Sequence, residues 1–416
     1  MAALAVMTGP EGATSYALSG FSGSLLHPRV VIFAVMAVVL WSLMTFYQRV
    51  RIEVRSVSDW VGALPSRVMP NLWVRVPVYL ALLAGAILVP ITLNPFWQEV
   101  LVDQIGVYVL LALGLNVVVG FAGLLDLGYV AFYAIGAYSC AFWTGKLPFH
   151  PFAINPFYAI PLAILAAMLA GVLLGLPTLR LRGDYLAIVT LGFGGIIEIV
   201  AGNWYGLTNG AFGVLNIPHF SVHLLGVHYT WGGSELPYYY LLLAFVVIAI
   251  VAYSSLDNSR IGRAWAAIRE DEVAASATGI NVLKYKVMAF AIGAATSGFA
   301  GMITASKISY ISPGSFVVQI SILVLVLVIF GGMGSIVGAM IGAAFLQWFP
   351  WFLRVHPLFG FQQEDVFIYF GALLIVMMIF RPQGVIPSKR RRREIGLAEH
   401  GIGSADALDE TAPGAR

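Results

Sequence analysis

Charged residues are scarce in this chain of 416 residues: they make up 10% of it, against roughly 25% in a soluble domain. A chain so poor in charge cannot cover itself with a solvated surface, so its length does not mean two or three soluble domains. Cysteine is almost absent. The lone Cys140 lies in an apolar stretch and excludes both an intrachain disulfide and a cysteine metal site. The net charge is only +3, and the basic excess is concentrated at Lys389 to Arg393. A short basic tail beside an apolar span belongs at the cytoplasmic membrane face, so nucleic-acid binding is not expected. No Gly-x4-Gly-Lys-Ser/Thr loop surrounds Lys146, Lys284, Lys286, Lys307 or Lys389, which excludes a P-loop nucleotide site. His219 and His223 are four apart, but Pro218 and the Gly-rich surroundings break the helix such a metal pair needs. With His228 they read as interfacial histidines, and no metal is expected.

Apolar residues fill the space that charge leaves. They account for 60% of the chain, with a mean hydropathy of +0.88. A transmembrane helix needs about 20 apolar residues. Eleven candidate spans lie near 30–47, 77–93, 100–119, 128–146, 157–179, 185–203, 238–255, 285–306, 317–331, 334–349 and 366–380. The fold class expected is all-α, a polytopic transmembrane bundle of about 11 spans. Lys and Arg collect on the cytoplasmic side of membrane proteins. With the N-terminus outside and the C-terminus inside, 19 of the 23 Lys and Arg residues fall inside, and only Arg29, Lys146, Lys307 and Arg354 fall outside. Residues 1–28 then form a translocated polar tail, 29–76 an N-terminal span and cytoplasmic loop, 77–385 the main membrane domain, and 386–416 a basic, then disordered tail. The outside loop 204–237 carries no Lys or Arg and is rich in Trp, Tyr, Gly and His, as befits a loop at the aromatic interface.

Glycine interrupts the apolar runs at two related places. Gly120-Phe121-Ala122-Gly123 separates the third and fourth spans, and Gly331-Gly332-Met333-Gly334 separates the ninth and tenth. Small residues at spacing four follow each block and permit close helix packing. Broken backbone at membrane depth survives only when buried in protein or lining a cavity, so these turns either pack tightly or flank a path. Three acids need an account because a charge in the bilayer is costly. Asp103, near the outer end of its span, is expected to reach the interface. Asp126 is placed to cap the open N–H groups of the following helix. Glu198 lies deep in the sixth span and is expected to face the bundle interior or a polar cavity. No partner at its depth makes a proton relay.

Between spans seven and eight lies a cytoplasmic loop with two helical signals (256–284). Ile261, Ala264, Trp265 and Ile268 recur at helical spacing, with Arg260, Arg263 and Arg269 elsewhere on the wheel. A second, short helix starts at Glu270, Asp271 and Glu272, with Asp271 as N-cap and Gly279 as a left-handed stop. Its face of Val273, Ala274, Ala275 and Ala277 suits either a membrane surface or another protein's groove.

Those residues resemble a known family. Glu272-Val273-Ala274-Ala275, with Gly279 following, is similar to the Glu-Ala-Ala…Gly cytoplasmic loop of ABC importer permeases. The chain more specifically resembles the LivM-type permeases of high-affinity branched-chain amino acid importers. The resemblance rests on Gly114-Leu115-Asn116 through Gly120, Leu179 through Gly194, Gly262-Arg263-Ala264-Trp265 through Gly279, Phe330-Gly331-Gly332-Met333-Gly334-Ser335 and Arg381-Pro382-Gln383-Gly384. Together these stretches cover roughly residues 100–385. It implies a multi-pass protein of the bacterial inner membrane that moves Leu, Ile, Val or related amino acids by alternating access. The implied partners are a homologous sister permease, two ABC ATPase subunits that carry ATP and Mg, a periplasmic amino-acid-binding protein and membrane lipid. No cofactor is expected in this chain itself. Arg263, Glu270, Asp271, Glu272, Ala274, Ala275 and Gly279 become candidates for ATPase coupling. Asn116, Gly120, Gly123, Asp126, Thr190, Glu198, Gly331 and Gly334 become candidates for the translocation path. In one departure, Gly195 and Glu198 replace a usual Glu and Arg. In another, the N-terminal extension has one span where two are usual.

Two other functions compete with this reading. An ion-coupled secondary transporter would want paired intramembrane acids or cation sites at broken helices, and the sequence offers Glu198 alone. A membrane-embedded enzyme would need a His, Asp, Glu and Ser set at one depth, and none stands out.

Overall fold

Inside a bilayer no water replaces a lost backbone hydrogen bond, so an apolar chain of this kind is driven into helices. The computed structural model describes residues 83–148, 153–178, 184–224, 227–355, 371, 375 and 384–387, all within the unit Tyr79–Arg416. The spans expected at 30–47 and near 366–380, the tail 1–28, the basic run Lys389 to Arg393 and most of 386–416 lie outside these residues or almost wholly so.

The described chain is mostly helical. In order come α1 (Leu83–Thr92), α2 (Pro95–Phe121), α3 (Val130–Trp143), α4 (Pro156–Thr178), α5 (Asp184–Asn203), the short α6 (Tyr205–Thr208), α7 (Glu235–Asp257), α8 (Arg260–Glu270), α9 (Glu272–Ala277), α10 (Val282–Ile308), α11 (Val318–Gly331) and α12 (Ile336–Val355). Among the described residues, 6 helices are long and apolar enough to cross a membrane. They are Pro95–Phe121, Pro156–Leu176, Tyr185–Asn203, Glu235–Asp257, Val282–Ile308 and Pro313–Gly331. The span expected at 128–146 is shorter in the structure: α3 has 14 residues, or ~21 Å at ~1.5 Å per residue, short of the ~30 Å apolar core of a bilayer. The missing length is 128–129, the end of an unwound segment 122–129, and 144–146 at the other end.

Helix α2 is not uniform. Val100–Gly106 and Asn116–Phe121 are π-helical, separated by an α-helical Val107–Leu115. Such widened turns bulge a helix and recur at functional positions.

Helix α10 is the hub, packing most extensively on α4 and α3 and also on α2. Its buried residues are mostly small: Ala289, Gly293, Ala294, Ser297, Gly298, Ala300, Gly301 and Ala305. Small residues let helix axes come close where lipid provides no hydrophobic drive between them. A Cβ added at Gly136 of α3 would run into the backbone of Gly298. Large apolar side chains face outward instead on α4 (Leu165, Leu169, Leu173), α5 (Ile188, Ile196, Ile199) and α7 (Ile248, Val251). An apolar surface of this extent is covered by lipid or partner helices, not by water.

The stretch between α5 and α7 is partly ordered by two small ladders. Strand β1 (Val214–Leu215) pairs antiparallel with β4 (Tyr310–Ile311), just beyond α10. Strands β2 (Ser221–Leu224) and β3 (Val227–Thr230) form a hairpin with His223 opposite His228. His219 is held by the Ser306 carbonyl at 2.9 Å and the Tyr238 hydroxyl at 3.2 Å. No group of His, Cys, Asp and Glu among the described residues could hold a metal ion.

Candidate functional site

The two glycine turns meet. Asn116, buried where the second π-helical segment of α2 begins, accepts a 2.8 Å hydrogen bond through Oδ1 from the N–H of Gly334. Gly120 lies against the same point, and a Cβ there would strike both Asn116 Oδ1 and the Gly334 backbone. Gly331 packs on Gly338 across the turn. The segment after Gly384 closes the other side, with Val385 and Ile386 donating to the carbonyls of Phe330 and Gly331 at 2.9 and 3.0 Å. Four of the candidate path residues, Asn116, Gly120, Gly331 and Gly334, therefore form one tightly packed junction. Another candidate, Gly123, turns the chain away at φ +73, a left-handed conformation that favours glycine.

Beyond Gly123 the unwound segment exposes backbone donors that need partners. Three side chains supply them. Thr190 of α5 accepts from Leu127 N–H at 3.0 Å, Asp126 from Gly128 N–H at 2.9 Å, and Ser321 of α11 from Val130 N–H at 2.8 Å. Asp126, Thr190 and Ser321 are all fully buried. Asp126 thus does satisfy an open N–H, as expected, but in a turn ahead of α3, whose own first donor is held by Ser321. Ser321 could have been noticed as the lone hydroxyl in the apolar run Ile320 to Gly331.

Glu198 stands apart. It lies about two turns along α5 from Thr190, is half-buried, and makes no hydrogen bond or ion pair among the described residues. The junction does not include it.

Asp103 has a partner that the sequence alone did not suggest: its carboxylate pairs with Lys307 Nζ at 2.6 Å. The same ammonium contacts Glu235. The Lys307 side chain is 5% exposed, against 22% for Asp103 and 18% for Glu235. This triad ties the start of α2, the start of α7 and the end of α10 at the end of the bundle away from the glycine junction.

At the junction end, α8 and α9 form a compact cap. Ser259 caps α8 by accepting from Ile261 and Gly262 N–H, and Asp271 caps α9 by accepting from Val273 and Ala274 N–H at 2.7 and 3.0 Å. Gly279 closes the loop at φ +87. Trp265 is buried, donates its indole N–H to the Tyr285 carbonyl at 2.8 Å, and stacks on Phe121 with ring centroids 6.4 Å apart. Two of the coupling candidates point inward. Ala275 is 3% exposed, so the smooth outer face is Val273, Ala274, Ser276 and Ala277. Glu272 is half-buried and pairs with the buried Lys286 of α10 at 2.7 Å. Arg263, Glu270, Asp271 and Gly279 remain exposed.

Residues 99–380 match the family model described as "Branched-chain amino acid transport system / permease component". The chain belongs to this family. It is 39% identical over 302 residues to the high-affinity branched-chain amino acid transport permease LivM of Salmonella typhimurium, covering 68% of each chain. It is 38% identical over 302 residues to LivM of Escherichia coli, again covering 68% of each chain. The permease BraD of Pseudomonas aeruginosa is 30% identical over 305 residues, which is 67% of this chain and 91% of that one. No solved structure matches. The matched region of this family holds both glycine turns, the unwound segment, the ion triad and the α8–α9 cap.

Proposed function

We propose that this chain is the membrane-spanning permease subunit of an ATP-driven, binding-protein-dependent importer of Leu, Ile, Val or closely related amino acids. The observation that carries the proposal is the family match across residues 99–380, together with relatives that are branched-chain amino acid permeases. The exposed α8–α9 cap lies directly on the junction of broken helices, where a push from a partner would reach the bundle. Under this reading the cap is the ATPase-facing loop and lies in the cytoplasm, in line with the distribution of Lys and Arg. Two ATPase subunits carry ATP and Mg there, a homologous sister permease completes the path, and a periplasmic amino-acid-binding protein delivers the solute. The setting is a bacterial inner membrane. Alternating access follows from rigid tilting of helices around the junction.

The path residues fit this scheme in two ways. Asn116, Gly120, Gly123, Asp126, Thr190, Gly331 and Gly334 shape the hinge between the helices that tilt. Glu198, without a partner among the described residues, is left for contact with solute or sister subunit.

The assay is uptake of radiolabelled Leu, Ile, Val and urea by proteoliposomes holding the full complex with ATP inside. ATP-dependent uptake of the branched-chain amino acids is expected in wild type. Glu272→Lys, which sets a cation against Lys286, and Gly279→Trp, which crowds the exposed turn, should each weaken ATPase association and abolish uptake. Uptake that persists without ATPase subunits, driven by a proton or sodium gradient, would overturn the reading.

A further inference from the structure

Helix α8 carries an arginine that bridges two parts of the molecule. Arg269 lies in its last turn, and its Nη1 donates to the carbonyl oxygen of Gly120. Gly120 is among the last residues of α2, whose terminal carbonyls have no partner within the helix. A guanidinium there satisfies an open acceptor and meets the negative end of the helix dipole. The contact is more than one hydrogen bond. Gly123 folds over the arginine stem so closely that a Cβ at that position would overlap Arg269 Cγ. One residue from Gly120, Phe121 stacks on Trp265 of α8. Polar and aromatic contacts thus hold the same helix end from the same short helix. On its far side, Gly120 abuts Gly334, whose N–H is held by Asn116.

A continuous chain of contacts therefore runs from the exposed cap to the meeting point of the two glycine turns. We propose that Arg269 is the positioning residue that clamps the ATPase-facing loop to the broken end of α2, so that loop and junction move as one body. The inference rests on the functional reading given above. Trp265 carries the apolar half of the clamp and Arg269 the polar half. The arginine is better suited than a lysine, because its planar fork fixes direction as well as charge.

The test compares Arg269→Ala and Arg269→Lys with wild type, as full complexes in proteoliposomes with the binding protein supplied. Three quantities are measured: complex assembly, ATP hydrolysis and solute moved per ATP hydrolysed. Arg269→Ala should assemble normally through its intact Trp265 anchor and should hydrolyse ATP. Its solute moved per ATP should fall about ten-fold, the size expected for losing one hydrogen bond from a charged donor. Arg269→Lys should recover part of that loss. An unchanged ratio in Arg269→Ala would overturn the proposal. So would uptake and hydrolysis that fall in step with the amount of assembled complex, since that is what a purely structural residue would do. A wild-type complex that hydrolyses ATP with no uptake at all would remove the permease reading and this inference with it.

Discussion

Replacing Lys307 with methionine should be the most damaging single change at the end of the bundle away from the glycine junction. The substitution keeps most of the side-chain volume and removes the ammonium. Asp103 and Glu235, each within reach of that ammonium, are then left facing one another with no cation between them. Removing one partner of a buried pair costs about 3–5 kcal/mol. The two carboxylates keep about a fifth of their surface exposed, so water recovers part of this, and a loss near ~3 kcal/mol is expected. The carboxylates themselves should be far less sensitive. Glu235→Gln leaves Lys307 paired with Asp103, and Asp103→Asn leaves it with Glu235, for about 1 kcal/mol each, the worth of one hydrogen bond. The triple variant Lys307→Met, Asp103→Asn, Glu235→Gln removes the repulsion and should regain most of the lost stability. Thermal unfolding in detergent, followed by intrinsic tryptophan fluorescence, reads this order directly. If Lys307→Met melts at the temperature of Glu235→Gln, or the triple variant melts no higher than Lys307→Met, the triad does not hold the helix ends as described.

Three further outcomes are expected. Thr190→Val strands the half-buried N–H of Leu127 and Ser321→Ala the buried N–H of Val130, at a cost of about 1 kcal/mol for the first and about 1–3 kcal/mol for the second; hydrogen exchange should rise across 127–132, and protection equal to wild type would refute the assignment. Gly279→Ala meets no neighbour, so it should cost only the left-handed backbone term of about 1 kcal/mol; a much larger fall in melting temperature would mean that the turn is buried by something else. Glu198→Gln should leave thermal stability unchanged, because the carboxylate has no partner among the described residues; a clear loss of stability would give Glu198 a structural role in place of one in the path.

What the sequence revealed and what it hid divide along a physical line. Features set by local chemistry were legible: the Asp271 cap, the Gly279 stop, the breaks at Gly120 and Gly331, and the long apolar helices. Features set by which distant residues meet were not. Asp103 taken alone resembles any acid near a span end, and only the fold brings Lys307, 204 positions later by residue number, onto it. Glu272 carries the family signature on an acid-led helix start, yet its side chain is committed to Lys286. The short α3 was misjudged because Gly128 and Tyr129 are apolar enough to continue a span. In the fold the backbone around them is held outside the helix, with the N–H of Gly128 on Asp126 and those of the flanking Leu127 and Val130 on Thr190 and Ser321. The two glycine blocks were visible as a pair, but their direct contact through Asn116 was not.

The widened turns of α2 carry a last consequence. A π-helical turn holds one residue more than an α-helical one, so each such segment acts as a single-residue insertion that rotates everything beyond it by about 100° around the helix axis. Asp103 sits in the first of these segments and Asn116 opens the second. The angle between the acid that meets Lys307 and the amide that meets Gly334 is therefore shifted from ordinary helical spacing by the first of these insertions, the second lying beyond Asn116. Deleting one residue between Val100 and Gly106 would relax that segment to ordinary pitch. The deletion would swing the start of α2 around its axis while the glycine junction stayed in place. Helix α2 is in that sense phased like a camshaft, with its two working side chains set at an angle that a plain helix could not hold.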